Sequence, residues 1–354
     1  MGEHRIEKAS DSGQINSFIR AVLTDIKALE KMHRDSLIEE DIQRIGAEQE
    51  MCFVTRDWRP APIILQILDE LKDPQFTTEL AKFNAEINLD PIEFEGECLT
   101  KMENQIKRHL RIISKIANKF NSEIILVGIL PTIRRIDLEM DNITPNERYY
   151  ALFEILKQMK GGPYEYRIRG VEELVAKQDN PTFEFCNTSF QIHLQVAPSD
   201  FVNLYNLSRA ISAPVLACAC NSPLLLGKRL WKETRIALFR QAVDTRHIGH
   251  FLREQSPRVT FAQDWVKESM MNTFKDDIAR FRVLLTTRVD EDSLEELEEG
   301  KIPQLNALRV FVSTVYRWNR ACYGVFNGKP HLRIENRVLP SGPTVVDEIA
   351  NAAF

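Results

Sequence analysis

Four short stretches of the 354-residue chain set polar or ionisable side chains two apart within apolar runs. At that spacing, side chains leave a β-strand on one face. In IGAEQEMCFV, residues 45–54, Glu48 and Glu50 point together, while Ala47, Gln49 and Met51 point the other way. Two carboxylates roughly 7 Å apart at Cα repel unless cations or hydrogen bonds compensate, so the pair is either an exposed polar face or part of a cation site. In FNAEINLDPIEFEGE, residues 83–97, Glu86, Asn88 and Asp90 share a face, Pro91 interrupts the strand, and Glu93 and Glu95 follow. This is a partly buried acidic rim or a charged edge strand. The stretch FEFCNTSFQIHLQV, residues 183–196, aligns Asn187, Ser189, Gln191, His193 and Gln195 on one face, opposite Phe190, Ile192, Leu194 and Val196. A lone histidine is most often structural, but five hydrogen-bonding groups in a row favour a strand facing a cleft. In HLRIENRVLPSGPT, residues 331–344, Arg333, Glu335 and Arg337 share a face. They form either a surface ion-pair ladder, worth at most about 1 kcal/mol per exposed pair, or a metal carboxylate beside a phosphate-gripping guanidinium.

The sequence contains neither GxGxxG nor GxxxxGK, and neither a GxSxG elbow nor HExxH. A nucleotide would therefore have to be held through metals and arginines. Carboxylates with one imidazole favour Mg²⁺ or Mn²⁺ over zinc.

The elements that must position these groups follow from periodicity. Ile15, Phe18, Ile19, Val22, Ile26 and Leu29 predict a helix over 15–32, and Ile106, Leu110, Ile113, Ala117 and Phe120 predict another over 103–120. A third starts after Pro145 and stops at Gly161-Gly162-Pro163. Strand-like runs are 45–54, 83–90, 124–130, 185–196 and 332–338; residues 200–287 read as mainly helical, and the acidic stretch 290–299 as a solvated loop or helix face. Several strands alternate apolar with ionisable residues, whereas buried parallel strands would be continuously apolar. The expected class is therefore antiparallel α+β.

Composition narrows the function classes. Forty-six Lys and Arg against 51 Asp and Glu give a net charge of −5, which argues against a generic binder of nucleic acid or anionic membrane. The start, MGEHRIEKAS, has no apolar core, so no secretory signal is expected there. The charge-free run Ala210–Leu226 contains Asn221, Ser222 and two prolines, too broken for a membrane span. Six cysteines form no CxxC pair and suit reduced, buried thiols in a cytoplasmic protein.

Taken in order, these stretches resemble glutamate–cysteine ligase family 2, the bacterial and plant-type branch that includes the carboxylate–amine ligases. GAEQE is similar to the family's G-x-E-x-E strand, and Glu86 and Glu93, seven apart, resemble its next pair of metal carboxylates. SFQIHLQV resembles its Q-x-H strand and LRIENRVLPSG its E-x-R strand. ILVGILP resembles the strand before a characteristic turn, although the Gly-Thr-His often found there is missing and Arg134-Arg135 follows. NSPLLLGKRLWKETR resembles an NSP…G…R segment whose arginine falls on Arg235, or on Arg240 if the alignment slips.

The resemblance implies an α+β, glutamine-synthetase-like fold: a curved antiparallel sheet flanked by helices, with the active site on its concave face. It implies an ATP- and Mg²⁺-dependent ligase (Mn²⁺ being possible) that joins a carboxylate, typically the γ-carboxylate of glutamate, to an amine such as cysteine. Glu48, Glu50, Glu86, Glu93, His193 and Glu335 would hold the metals. Arg337 would grip the transferred phosphoryl group and Arg235 a substrate carboxylate, while Asn221, on the cofactor side with Arg337, would help orient the ligands. Residues 1–39 would be an N-terminal helical segment and 40–354 the catalytic domain, with a further C-terminal part expected beyond it. Expected partners are small molecules, not nucleic acid or membrane. The rival readings are a non-catalytic nucleotide-binding paralogue and a phosphotransferase to a guanidino or amine group on the same fold.

Overall fold

The structure, a computed structural model, describes residues 6–8, 12–246, 257–289 and 291–354. Along the chain run β1 (Ile6–Lys8), α1 (Ser12–Arg34), β2 (Arg44–Thr55), α2 (Ile64–Leu71), β3 (Phe76–Thr78), β4 (Asn84–Asn88), β5 (Ile92–Glu93), α3 (Cys98–Lys119), β6 (Ser122–Ile125) and α4 (Glu147–Lys160). There follow β7 (Tyr164–Arg169), β8 (Glu173–Gln178), β9 (Phe190–Val196), α5 (Phe201–Ala219), β10 (Leu224–Leu225), β11 (Lys228–Arg229) and α6 (Thr234–Ala242). The remainder is α7 (Met270–Arg280), β12 (Leu285–Thr287), α8 (Ser293–Glu298), α9 (Asn306–Ser313), β13 (Asn319–Phe326), β14 (Lys329–Asn336) and α10 (Val345–Ala353).

Among the described residues, eight strands form one sheet in the order β13-β14-β9-β2-β4-β3, with β5 and β6 pairing at the two ends of β2. Every pairing is antiparallel, and the sheet curls into a half-barrel flanked by helices. The apolar face of β2 carries Ile45, Ala47, Met51 and Phe53 into the main core. There α3 packs against β2 and β6 with Met102, Ile106, Ile113 and Ala117 buried. Helix α10 fits against both α3 and α5. Helix α1 contributes Phe18, Val22, Ile26 and Leu29 to the same core. A second core joins the β7–β8 hairpin to Phe153, Phe183, Phe185 and Leu238.

The three expected helices are present as α1, α3 and α4. Helix α4 is capped as its sequence signals require: Asn146 accepts from the Arg148 N–H, and Gly161 closes the end at φ 63°. The run 124–130 is a strand only to Ile125, because the chain then turns towards another segment and the Gly128 N–H donates to the Asn221 carbonyl. Residues 182–186 form a 3₁₀ turn rather than strand. The region 200–287 holds the small β10–β11 hairpin and β12 besides its helices. The acidic stretch contains α8; Asp290 lies outside the described residues. All six cysteines are free, and Cys218 is exposed rather than buried. Among the described residues, none of the helices is long and apolar enough to cross a membrane.

Candidate active site

Register brings the acidic strands together. Glu50 lies opposite Glu86 across β2–β4, and Glu48 lies opposite Gln191 across β2–β9. His193 pairs with Glu335 across β9–β14. Two groups of potential metal ligands result: Glu48, His193 and Glu335, and Glu50, Glu79 and Glu86. Within each group, one ligand atom per residue lies within 4.8 Å of the others.

Two expectations fail here. Glu93 is exposed on β5 opposite Arg44, at the end of β2 away from Glu50, because β4 stops at Asn88 and the chain passes through Pro91 out of the cleft. The carboxylate that lies with Glu50 and Glu86 is instead Glu79, seven residues before Glu86 rather than after it. Asn221 does not line the cleft; its N–H donates to Glu233 Oε2 at 2.9 Å and its amide to the Ser341 carbonyl at 2.8 Å. Arg235 does line the cleft, buried, over the Trp318 ring at 5.3 Å. Part of its guanidinium is spent on Glu233 (3.1 Å) and the Val338 carbonyl.

The first group sits among cations. Arg320 on β13 grips both oxygens of Glu335, at 2.6 Å to Oε1 and 3.1 Å to Oε2. Arg337 donates to the same carboxylate and to Gln191 Oε1. Burial opposes ionisation of Glu335, but Arg320, Arg337 and His193 hold it well below the usual carboxylate range. Burial likewise opposes ionisation of Glu48, and His193 brings it down. His193 Nε2 is 3.3 Å from Glu48 Oε1 but off the line of a hydrogen bond, which leaves that buried nitrogen without a partner.

The second group lacks such partners. Glu50 accepts from the Ser189 N–H (2.7 Å), the Ser189 hydroxyl (2.8 Å) and Gln191 Nε2 (2.8 Å), yet burial still pushes it up. Burial pushes Glu86 well up, helped by the charges of Glu48, Glu79 and Glu50. Glu79 rises well above its ordinary value through burial and the charges of Glu50 and Glu184. Behind Glu50, Ser341 Oγ donates to its backbone carbonyl at 2.7 Å and Gln49 Nε2 donates to Ser341 Oγ at 3.0 Å. The adjoining Gly342 has φ +74°, and a Cβ there would lie 2.2 Å from the Leu126 carbonyl oxygen, so only glycine fits.

The cleft has two lobes. The larger encloses about 390 Å³ beside Glu50, Glu79, Glu86 and Arg235; the smaller encloses about 130 Å³ beside His193, Glu335, Val310 and Arg333. Glu48, Glu335's partner Arg320, and Arg148 from α4 border both. Sequence reasoning missed Arg320, Arg148, Glu79 and Glu184. The Glu79–Glu86 interval was the one available signal, while the others depend on tertiary register.

Both groups suit an oxygen-preferring divalent cation: one offers a partnerless imidazole nitrogen beside two carboxylates, the other three crowded carboxylates. Fold and site together define a protein with a carboxylate-lined cleft on the concave face of a curled antiparallel sheet. The family model for glutamate-cysteine ligase family 2 matches residues 44–354, and the chain belongs to that family. No curated protein is matched by the sequence. Among solved structures, a bifunctional glutathione synthetase from Pasteurella multocida matches 92% of this chain and 39% of its own length, at 12% identity and TM-score 0.41. The cryo-EM structure of Plasmodium falciparum glutamine synthetase matches 94% of this chain and 53% of its own, at 9% identity and TM-score 0.34. The chain thus spans well under two thirds of either protein, and likeness at this level carries no argument about activity.

Proposed function

We propose that the protein is an ATP-dependent carboxylate–amine ligase that activates a carboxylate, in the first instance the γ-carboxylate of glutamate, as an acyl phosphate and couples it to an amine. The observation that carries this reading is the pair of adjacent ligand groups with Arg337 bordering one of them. A carboxylate is a poor electrophile. Its oxygen attacks the γ-phosphate of ATP, ADP leaves, and the amine then displaces phosphate at the activated carbonyl. Mg²⁺, when bound, would neutralise charge on the phosphoryl oxygens. Glu48, His193 and Glu335 would hold one ion, and Glu50, Glu79 and Glu86 the other.

The remaining work falls to the chain's own side chains. Arg337, anchored by Glu335 and Gln191, presents its guanidinium where charge builds in the transition state. Arg235 faces the larger lobe and would bind a substrate carboxylate. The smaller lobe, with apolar Val310 and Tyr323 and with Arg333, would take the nucleotide. Arg333 Nε is buried without a partner, and among the described residues no carboxylate pairs with that guanidinium. Residues 40–354 would form the ligase body, with α1 packed on it.

The family name supplies cysteine as an acceptor, but nothing in the site yet selects it. Phosphate release from ATP across carboxylate and amine pairs, with the product weighed by mass spectrometry, tests the reading. An amide product with Mg²⁺ dependence is expected. ADP release with a phosphorylated amine would instead mark a phosphotransferase, and nucleotide binding without turnover a regulatory paralogue.

A further inference from the structure

Glu184 is the one carboxylate of the larger lobe that the two ligand groups do not use. It sits in the Thr182–Cys186 turn between Phe183 and Phe185, both buried in the second core, so its backbone is anchored. Its carboxylate lines the cleft, and among the described residues no side chain pairs with it or donates to it. Three residues on, Asn187 lines the same lobe with both side-chain amide atoms buried and without a partner. A buried amide with neither atom bonded is costly unless a ligand completes it, and the half-buried Glu184 carboxylate beside it is open to the same ligand. A carboxylate beside an amide carbonyl is complementary to an ammonium group.

The surrounding wall is apolar. Phe239 meets Tyr316 edge-on at 5.5 Å and Trp318 at 5.6 Å, and Phe153 stacks on Phe185 at 5.7 Å. Phe153, Phe239, Tyr316 and Trp318 all border the lobe. Such a wall offers a thiomethyl-sized group little to bind and an aryl or branched alkyl group much.

On the ligase reading above, we infer that the acceptor is a primary amine carrying an apolar substituent, with its ammonium on Glu184 and the Asn187 carbonyl and its substituent against Phe153, Phe239, Tyr316 and Trp318. Titration calorimetry of the full chain with Mg²⁺ and ADP, using 2-phenylethylamine and ethanolamine as probes, tests this without turnover. 2-Phenylethylamine should bind at least about tenfold more tightly. Glu184→Gln, nearly isosteric, should weaken it about 10–100-fold while ADP affinity stays constant. Asn187→Ala should weaken it in the same sense and serves if Glu184→Gln fails to fold. Equal affinity for the two probes, or unchanged affinity in both variants, overturns the inference.

Product analysis with ATP and glutamate separates it from the broader reading. If no amine releases phosphate yet the binding contrast holds, the ligase reading fails and this subsite stands. If amides form, with cysteine preferred to 2-phenylethylamine in kcat/KM, the ligase reading stands and the subsite is wrong.

Discussion

The two ligand groups lie on adjoining strands of one sheet, yet they solve the problem of crowded buried carboxylates in opposite ways. Around Glu48, His193 and Glu335, the protein supplies its own positive charge through Arg320 and Arg337, and both carboxyls are held below their ordinary values. Around Glu50, Glu79 and Glu86, it supplies hydrogen bonds but no cation as close, and all three carboxyls are pushed up. The first group is thus ionised before any metal arrives. The second gives up its protons less readily, so metal binding there, on the proposed reading, would depend more strongly on pH than at the first.

Arg337→Lys should show the largest effect on catalysis. It keeps the charge beside the first group but loses the planar two-pronged donor. We expect kcat to fall ~10²–10³-fold, about 2.7–4 kcal/mol, with folding and Mg²⁺–ATP binding largely retained. Steady-state kinetics on a folded variant checks this, and an unchanged kcat would remove Arg337 from the reacting centre.

Arg320→Ala should make the first group behave like the second. It strips the two-oxygen partner from a buried carboxylate, and denaturant unfolding should show a loss of about 3 kcal/mol, the low end for breaking a buried pair because Arg337 remains. Unchanged stability would mean that Arg337 alone balances Glu335.

Glu86→Gln sharpens the contrast from the other side. Removing a charge from the crowded group should leave metal-free stability unchanged or raised, while Mg²⁺ affinity measured by calorimetry falls at least about tenfold. Strong destabilisation without metal would contradict the account given of that group.

The smallest expected effect is a pH slope. Glu79 and Glu86 are raised in the folded state from 4.5, and burial lifts Glu348 to about 7. Above pH ~4.5 these three groups therefore bind more protons in the native state than in the unfolded chain, while His331, lowered to about 4, acts in the opposite sense below about 6.5. Metal-free stability should fall as pH rises, across the interval to about 7 for Glu348, with Glu79 and Glu86 contributing in the same sense. Saturating Mg²⁺ should flatten this slope. Melting curves from pH 5 to 8, with Mg²⁺ or with EDTA, would show it, and a slope of opposite sign would refute the raised values.

How much of this was legible in the sequence depends on where each residue sits. Glu48, Glu50, Glu86, His193 and Glu335 lie on strands whose period of two fixes the face of each, while only the resemblance to the family grouped them across strands. Glu79 lies just beyond the short β3, where there is no periodicity to read, and the interval of seven was assigned to exposed Glu93 instead. Arg320 belongs to β13, whose Asn319, Arg320 and Cys322 obscure the apolar alternation, and its role appears only through its register opposite Glu335. The antiparallel class followed from mixed apolar and ionisable alternation. The strand order did not, because it depends on contacts remote in sequence.

The turn behind Glu50 has a consequence for how the molecule is made. Ser341, which holds the Glu50 carbonyl, is 291 residues from it in the chain, and Gln49 reaches 292 residues to the same hydroxyl. Loop-closure entropy makes such distant pairings late and slow in folding. During synthesis the G-x-E-x-E strand therefore emerges long before β14, the Ser341–Gly342 turn and α10 exist to brace it. Its partners β4 and β6 and the covering α3 follow soon after it, but its pairing with β9 and the brace from Ser341 must wait. The group of Glu50, Glu79 and Glu86 is complete within the first ninety residues, whereas that of Glu48, His193 and Glu335 can close only when β14 docks, so on the proposed reading the two would become competent at different stages of folding.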